Sequence, residues 1–363
     1  MKKLIYISGE DFFDVDFPIL KELTKQYDLT WIPILRKNGW YSNEDITSFC
    51  ETHHIKVLPI LQKYKYKHPM MVLFYIRLLS TIRKLNSDII YFEYFGVPYL
   101  HFFSPFFLDK KKLVFAIHDV EQHYKMSYGN LKSFYFNHIC QHFVNFHVFS
   151  EVQAEIFRKK YPGKNVFVAK LYLKDFGAPT IRKANDGKVH FLFFGIIRKN
   201  KGLDLIIKAF NEVAKKRTDF IVTIAGNTKD WAEYDALIDD KRFYHLMIRK
   251  IKNEEIPNLF IEADYSLLLY IDVTQSGVLL TSYNYNVPVI ASDLPGFHEY
   301  VTDGYNGFLV TPNVEAIAKK IEKIIEEHSN IHNIMSSNLK GYIEEHINLN
   351  KIIQNYCDFF NSL

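Results

Sequence analysis

The sequence alternates short apolar runs with segments of helical periodicity, and it does so in two successive series. Apolar runs that alternate with helical segments predict parallel strands joined by crossover helices, with both faces of each sheet covered. The polar segment 174–188, which contains Gly177 and Pro179, lies between the two series and is predicted as a linker. The pattern therefore predicts an α/β chain with two doubly wound, Rossmann-like domains.

Each series predicts particular elements. The strands predicted in the first series are Lys3–Ser8, Leu29–Pro33, Lys56–Pro59, Ile89–Phe92, Lys112–Ile117 and Val144–Phe149. Those predicted in the second are Val189–Phe194, Phe220–Ala225, Tyr244–Ile248, Tyr265–Leu269, Val289–Ser292 and Phe308–Val310. The predicted helices include Phe17–Lys25, Met70–Leu85, Glu151–Lys160, Val314–Glu326 and Ile331–Glu345. Ligands of doubly wound sheets bind beyond the C-terminal ends of the strands, so residues just after strands are the site candidates.

The composition is that of a globular chain without a membrane-spanning helix. Of the 363 residues, 48% are hydrophobic, and no uninterrupted apolar run reaches the ~18 residues that a transmembrane helix needs. The apolar run after Met1 is interpreted as a first buried strand and not as a signal peptide. Three widely spaced cysteines indicate neither a disulfide framework nor a metal site. We therefore expect a cytoplasmic protein.

Charge is unevenly distributed along the chain. Residues 1–183 contain 26 Lys and Arg against 17 Asp and Glu, whereas the remainder contains 19 against 24. A basic half joined to an acidic half suggests that the first domain faces something anionic. No nucleic-acid-binding motif accompanies the charge, so an anionic membrane surface is the expected partner. The basic, aromatic segment Lys63–Leu85 fits either a core helix or a membrane-surface element.

Two segments of the second series have the features of anion-binding loops. The small polar cluster Thr274–Gly277 opens a predicted helix, where uncovered N–H groups and the positive end of the helix dipole favour a phosphate. The segment 193–210 is a strand followed by Gly195, a loop with Arg198 and Lys201, and an amphipathic helix. Two such elements in one series predict a diphosphate ligand.

Six motifs in this half resemble one known family. They are FGIIRKNKGLDLIIKAF (194–210), IAGN (224–227), EADYSLLLY (262–270), TQSGV (274–278), PVIASDLPG (288–296) and DGYNGFLV (303–310). In this order and spacing they are similar to the donor half of the retaining nucleotide-sugar glycosyltransferases of family four. The resemblance is dense over roughly 185–345 and implies the GT-B fold, in which two Rossmann-like domains face each other across a cleft.

The resemblance also implies domain boundaries and site residues. We expect an acceptor-side domain over 1–180, a nucleotide-sugar-binding domain over 181–345, and a C-terminal helix over 346–363 that crosses back to the first domain. The implied catalytic residues are Arg198 and Lys201, which would neutralise the departing diphosphate, and His118, which would hold the donor sugar. The implied donor-binding residues are Gly195, Gly226, Asn227, Ile251, Gln275, Ser276, Gly277, Val278 and Thr281.

The sequence departs from the usual family pattern at two places. Most members have two glutamates eight positions apart, and those positions are Val273 and Thr281 here. A sub-branch that contains TQSGV also lacks the pair, so we assign the chain to that sub-branch, with the Thr281 hydroxyl as a weaker ribose partner than a carboxylate. The second departure is Ile196, which stands where many members have an arginine, and Arg198 is the expected substitute.

The resemblance implies an enzyme that moves a sugar from a nucleotide-diphosphate sugar to an acceptor hydroxyl with retention of configuration. It implies that the enzyme needs no cofactor and no metal. It also implies a saccharide or a lipid-linked saccharide as acceptor, as in surface polysaccharide or glycolipid assembly. No nucleic-acid partner is expected. A peripheral contact with the inner face of the membrane is expected. Two alternatives remain open at this point: a nucleotide-sugar epimerase of the same fold, and a catalytically silent binding subunit.

Overall fold

Two parallel β-sheets form the centres of two separate units of the chain. The computed structural model describes residues 1–37, 39–65, 68–93, 99–120, 129–183, 186–273 and 275–363. Unit 1 consists of Met1–Tyr172 together with Leu349–Leu363, and unit 2 consists of Leu173–Asn348. Both sheets are covered by helices, so the predicted α/β class with two Rossmann-like domains is confirmed.

The sheet of unit 1 contains parallel strands in the order β3-β2-β1-β5-β6-β7-β8, and β4 also pairs with β2. The strands are β1 (Lys3–Gly9), β2 (Asp28–Arg36), β3 (Lys56–Val57), β4 (Ile60–Gln62), β5 (Ile89–Phe92), β6 (Leu113–Ile117), β7 (Asn145–Val148) and β8 (Asn165–Val168). Every predicted strand of the first series is present, although only the first two residues of the predicted strand Lys56–Pro59 form β3, and β4 begins just after that segment. The last strand, β8, was not predicted, because its few apolar residues give little periodicity.

Helices cover both faces of this sheet because alternate side chains of each strand point in opposite directions. The helices are α1 (Phe13–Leu23), α2 (Asn43–Thr52), α3 (Met70–Leu85), α4 (Tyr99–Phe107), α5 (Gly129–His142) and α6 (Glu151–Lys160), and a short 3₁₀ turn spans Lys110–Lys112. Ile5 and Ile7 of β1 pack in the apolar core below α3, α5 and α6. Leu4 and Tyr6 pack in the opposite core, against α1 and α2.

The sheet of unit 2 has the parallel order β11-β10-β9-β12-β13-β14. Its strands are β9 (Val189–Phe194), β10 (Phe220–Gly226), β11 (Tyr244–Ile248), β12 (Tyr265–Leu268), β13 (Val289–Ser292) and β14 (Gly307–Val310), all at predicted positions within two residues. The helices are α7 (Leu203–Ala214), α8 (Trp231–Asp235), α9 (Ile256–Glu262), α10 (Gly277–Asn284), α11 (Pro295–His298) and α12 (Val314–His346), with 3₁₀ turns at Lys199–Lys201, Lys241–Phe243 and Asn253–Glu255.

Helix α12 differs from the prediction of two helices over this segment. It runs for 33 residues without a break. The polar stretch around His328 contains no proline or glycine to stop a helix, and the rings of His328 and His332 pack edge-on against buried Tyr265. The interruption in apolar periodicity therefore marks a polar contact and not a helix end.

The last helix, α13 (Leu349–Ser362), belongs to unit 1. Its buried side chains Ile352, Tyr356 and Phe360 enter the same core as α1 and α2. Among the described residues, no helix is both long and apolar enough to cross a membrane.

Candidate functional site

The turn after β9 is held tightly against the end of β10. Gly195, with φ +112°, donates its N–H to the Ala225 carbonyl at 2.9 Å, and the Ile197 N–H donates to the Asn227 carbonyl at 3.1 Å. A Cβ atom at Gly226 would lie 1.8 Å from the Gly195 carbonyl oxygen. Both glycines are therefore required by the backbone, because one adopts a left-handed conformation and the other meets a backbone atom.

The basic loop that follows points its lysine at a buried tyrosine. Lys201 ends the 3₁₀ turn Lys199–Lys201, and its Nζ lies 3.6 Å from the centroid of the Tyr270 ring. The turn is tied to the segment after β12, because the Ile271 N–H donates to the Asn200 carbonyl at 2.9 Å. Tyr270 is only 1% exposed, so the ring is a fixed platform for the ammonium group.

The same tyrosine reaches the start of helix α10. Its hydroxyl lies 3.3 Å from the Ser276 Oγ, and Ser276 caps the helix by accepting the Leu279 N–H. The Ser276 carbonyl accepts the N–H groups of Leu279 and Leu280, whereas the described residues supply no partner outside the helix for those of Gly277 and Val278. Tyr270 thus joins the basic loop to a helix N-terminus with uncovered N–H groups.

A further lysine lies at this helix start, and the sequence analysis missed it. A Cβ atom at Gly277 would lie 2.9 Å from both Cε and Nζ of Lys174, so the lysine passes directly over the glycine. Lys174 was assigned to a linker, and no local pattern distinguishes it from the other linker lysines. Tyr270 was missed for a similar reason, because it directly continues the apolar run of a predicted strand and no sequence pattern distinguishes it from the other residues of that run.

Other residues predicted to bind the donor lie in the basic loop and at the start of helix α10. Arg198 is exposed, and its side chain has no hydrogen bond or ion pair within the described part of the chain. The Nε2 of Gln275 is buried and has no partner among those same residues. The methyl Cγ2 of Val278 lies 3.5 Å from the Cβ position of Gly195, so the helix start and the β9 turn are in contact. Thr274 lies outside the described residues.

Three of the predicted donor-binding residues make contacts within the protein. Thr281 is 2% exposed, and its hydroxyl donates to the Gly277 carbonyl at 3.0 Å, so its proton is already used. The side chain of Ile251 is buried in the apolar core against α9. Asn227 is exposed and contributes its carbonyl to the β9 turn. The family resemblance implies that Ile251 contacts the nucleotide base mostly through its backbone, and this role stays a prediction.

His118 belongs to unit 1, whereas the donor-side candidates belong to unit 2. It follows β6, and its imidazole is stacked between the rings of Phe12 and Phe149, each with a centroid distance of 4.1 Å. Its Nε2 lies 3.3 Å from Glu93 Oε1. The ring is therefore held on both faces, with one nitrogen close to the Glu93 carboxyl group, and Phe12 and Glu93 are further residues that the sequence analysis missed.

Glu93 is part of a buried acidic cluster. The Tyr6 hydroxyl lies 2.8 Å from Asp16 Oδ1 and 2.5 Å from Glu93 Oε2, and both carboxyl groups are 1% exposed. Burial, followed by the negative charge of Glu93, raises the pKa of Asp16 well above its usual range. Asp16 therefore takes up a proton at a higher pH than an isolated aspartic acid does, and this buried cluster lies beside His118.

Comparison with known proteins gives this geometry a family context. Residues 178–341 match the family model described as glycosyl transferases group 1. An uncharacterized glycosyltransferase of Methanocaldococcus jannaschii is 27% identical over 195 residues, which cover 50% of this chain and 47% of that relative. The alignment thus spans about half the length of the curated relative.

Two solved structures are similar over essentially the whole chain. A glycosyltransferase from Rickettsia africae has a TM-score of 0.73 at 14% identity and covers 99% of this chain and 98% of its own. Anabaena HepE in complex with UDP-glucose has a TM-score of 0.73 at 16% identity and covers 100% of both chains. Residues 178–341 thus match the group 1 glycosyl transferases, within a chain that has the GT-B fold.

Proposed function

We propose that this chain transfers a sugar from a nucleotide-diphosphate sugar to an acceptor hydroxyl with retention of configuration. The observation that carries the proposal is the sequence of contacts from Lys201 through Tyr270 to Ser276. These contacts bring a fixed ammonium group to a helix N-terminus whose first N–H groups are uncovered, and both features favour a diphosphate. The group 1 match over the same residues supports a sugar donor.

In the proposed reaction, the bond between the anomeric carbon and the diphosphate oxygen breaks as the acceptor hydroxyl attacks from the same face of the sugar. The acceptor proton passes to the leaving phosphate oxygen, so no side chain is needed as a general base. Lys201, Arg198 and the N–H groups of α10 would stabilise the charge that develops on the leaving diphosphate. His118 would position the donor sugar, held by Phe12, Phe149 and Glu93.

The finer parts of the proposal rest on the motifs. Assignment to the TQSGV sub-branch follows from residues 274–278. The presence of Val273 and Thr281 in place of the usual two glutamates fits this assignment. UDP is the first nucleotide to test, because the structurally similar HepE is in complex with UDP-glucose. Surface polysaccharide or glycolipid assembly is the proposed setting, with a saccharide or lipid-linked saccharide as acceptor. The reaction is proposed to need no metal, so activity should survive chelation by EDTA.

Binding of UDP, GDP and ADP to the wild type, Lys201→Ala and Lys199→Ala tests the donor site. A nucleotide at a hundredfold excess over its Kd should stabilise the wild type by ~2.7 kcal/mol in a thermal shift. Lys201→Ala should weaken binding roughly 10- to 100-fold, since a hydrogen bond to a charged group contributes about 1.5–3 kcal/mol. Lys199→Ala removes a lysine from the same turn and should bind normally.

Turnover then distinguishes the remaining possibilities. Incubation with the matching nucleotide sugar and saccharide acceptors should give a product whose anomeric configuration, read by NMR, equals that of the donor. An epimerised nucleotide sugar formed without any acceptor would point instead to an epimerase. If no nucleotide binds the wild type, the catalytically silent subunit becomes the better description.

A further inference from the structure

Helices α3, α4 and α5 of unit 1 come from a part of the sequence that is almost free of acidic residues. The segments 52–87, 94–108 and 122–150 contain no Asp or Glu, although at the average frequency in this chain such a length would carry about nine. The first of these segments contains only basic charges, which are Lys56, Lys63, Lys65, Lys67, Arg77, Arg83 and Lys84. Directly after α4, Asp109 is followed by three lysines, 110–112.

The three helices lie on the same side of the unit 1 sheet. Residues of α3 and α5 share one apolar core, and partly buried side chains of α4 pack against it. Helix α4 contacts α3, and the Phe102 ring of α4 lies 6.1 Å from the His138 ring of α5. The outward surface of these three helices, with Lys63 and Lys65 before α3 and the lysines 110–112 after α4, is called the α3–α5 face.

Large apolar side chains project from the α3–α5 face into solvent. Phe106 is 73% exposed, Phe134 63%, Phe102 53% and Leu73 46%. Single exposed apolar residues are ordinary on a protein surface, but four of this size on three adjacent helices indicate a binding surface. Each of the three helices contributes at least one of them.

Within the described part of the chain, the cations of this face have no acidic partners. Elsewhere in unit 1, Arg36, Lys56 and Arg158 pair with carboxylates. Lys63, Lys65, Arg77, Lys110 and Lys111 form no ion pair within the described residues. Burial, followed by the neighbouring charges of His142 on the same helix and of Lys110 after α4, lowers the pKa of His138.

We propose that the α3–α5 face docks on an anionic lipid bilayer. Exposed Phe and Leu side chains enter the boundary between headgroups and acyl chains, and the lysines and arginines around them meet anionic headgroups. A single-stranded nucleic acid could stack its bases on exposed aromatic rings, but no nucleic-acid-binding motif accompanies these helices. A protein partner would not require the surface to exclude acidic residues. Docking does not depend on the transfer reaction, so it is tested without donor or acceptor.

Sedimentation with phospholipid vesicles measures the docking directly. The full chain should bind vesicles of phosphatidylglycerol and phosphatidylcholine and should not bind vesicles of phosphatidylcholine alone. Binding should weaken with rising salt, because headgroup attraction is screened. Phe102→Ser combined with Phe106→Ser should lower vesicle binding at least tenfold. Lys63→Glu combined with Lys65→Glu should lower it by a similar factor, since each basic residue at an anionic surface is worth about fivefold.

Matched controls lie in unit 2. Ile334 is 63% exposed and Lys340 is exposed, so Ile334→Ser and Lys340→Glu change similar side chains that belong to the other unit. Both should leave vesicle binding unchanged. The proposal is overturned if the wild type binds neither kind of vesicle, or if the controls lose as much binding as the face variants. It is also overturned if the wild type self-associates and the face variants abolish that association without altering vesicle binding, because the face would then join two copies of the chain.

Discussion

The Nζ of Lys201 lies 3.6 Å from the centre of the Tyr270 ring, and the hydroxyl of that ring lies 3.3 Å from Ser276 Oγ. One buried side chain therefore sets the position of the ammonium group and contacts the cap of helix α10. Because the ring is nearly inaccessible to solvent, the attraction between the cation and its face is less screened than at an open surface.

Replacing the ring should release Lys201 from its position. Tyr270→Leu removes the aromatic face and should weaken UDP binding about tenfold, since a cation over an aromatic ring is worth roughly 0.5–2 kcal/mol. Tyr270→Phe keeps the ring and loses only the contact with Ser276, so its Kd should stay within about threefold of the wild type. Isothermal titration with UDP gives both values. Equal losses in the two variants would show that the hydroxyl, and not the ring, carries the effect.

Lys174 should contribute to binding of the diphosphate although it lies outside every motif. Lys174→Met keeps most of the aliphatic stem over Gly277 and removes the charge, so UDP affinity should fall roughly 10-fold. The effect should be smaller for uridine, which has no phosphate. Lys188→Met is the matched control, because this lysine is exposed in the same segment between the two predicted series. Loss of uridine and UDP affinity to the same extent would indicate a packing role for Lys174.

The contrast between Lys201 and Lys174 shows how far the sequence alone could reach. Lys201 follows a strand and a glycine by a few residues, and that local pattern predicts an anion-binding loop. Lys174 reaches Gly277 from a position about a hundred residues earlier, and no local pattern encodes such an approach. The contact of Tyr270 with both elements is likewise tertiary. Strand positions were predicted well because buried parallel strands are continuous apolar runs.

The same limit applies to His118. Its place at a strand end could be predicted, but the stacking of its ring between Phe12 and Phe149 depends on residues from two distant segments. The length of α12 was mispredicted because a polar stretch that packs against Tyr265 resembles a helix end. In both instances side-chain packing from elsewhere in the fold decided the outcome.

Gly226→Ala should destabilise the chain independently of any ligand. The added methyl group would meet the Gly195 carbonyl at 1.8 Å, so the β9 turn must shift and lose its hydrogen bonds. We expect a loss of at least ~2 kcal/mol in the free energy of unfolding, measured by urea denaturation. Gly341→Ala is the control, because a Cβ atom there meets nothing within 4 Å and lies in helix α12. That variant should be as stable as the wild type or gain up to ~1 kcal/mol. A stable Gly226→Ala protein would contradict the tight turn.

His147 should make the stability of unit 1 depend on pH. The ring is fully buried; its Nε2 lies 2.9 Å from the Ala169 carbonyl and its Nδ1 2.7 Å from the Tyr91 hydroxyl. Nε2 therefore carries the proton and donates, whereas Nδ1 accepts, so the ring is neutral. Burial lowers the pKa of His147 to about 3.

The direction in which stability changes with pH follows from the protonation of His147 in the folded and the unfolded chain. Below pH ~6.5 the unfolded chain takes up a proton on this histidine, whereas the folded chain does not until about pH 3. Stability from His147 is therefore fully present above pH ~6.5 and is lost as pH falls toward 3, at about 1.4 kcal/mol per pH unit. Between pH 7.5 and 5 the loss should be about 2 kcal/mol.

Comparison with His147→Gln isolates this contribution, because glutamine can keep the donation to Ala169 but cannot titrate. Urea denaturation of both proteins at pH 7.5 and 5.0 should show a drop for the wild type that exceeds the drop for the variant by about 2 kcal/mol. Absolute stability of the variant does not matter, since only the change with pH is compared and the other histidines are common to both proteins. If the stabilities of the two proteins changed equally with pH, the folded state would accommodate a charged His147, and the assignment of a neutral buried ring would be wrong.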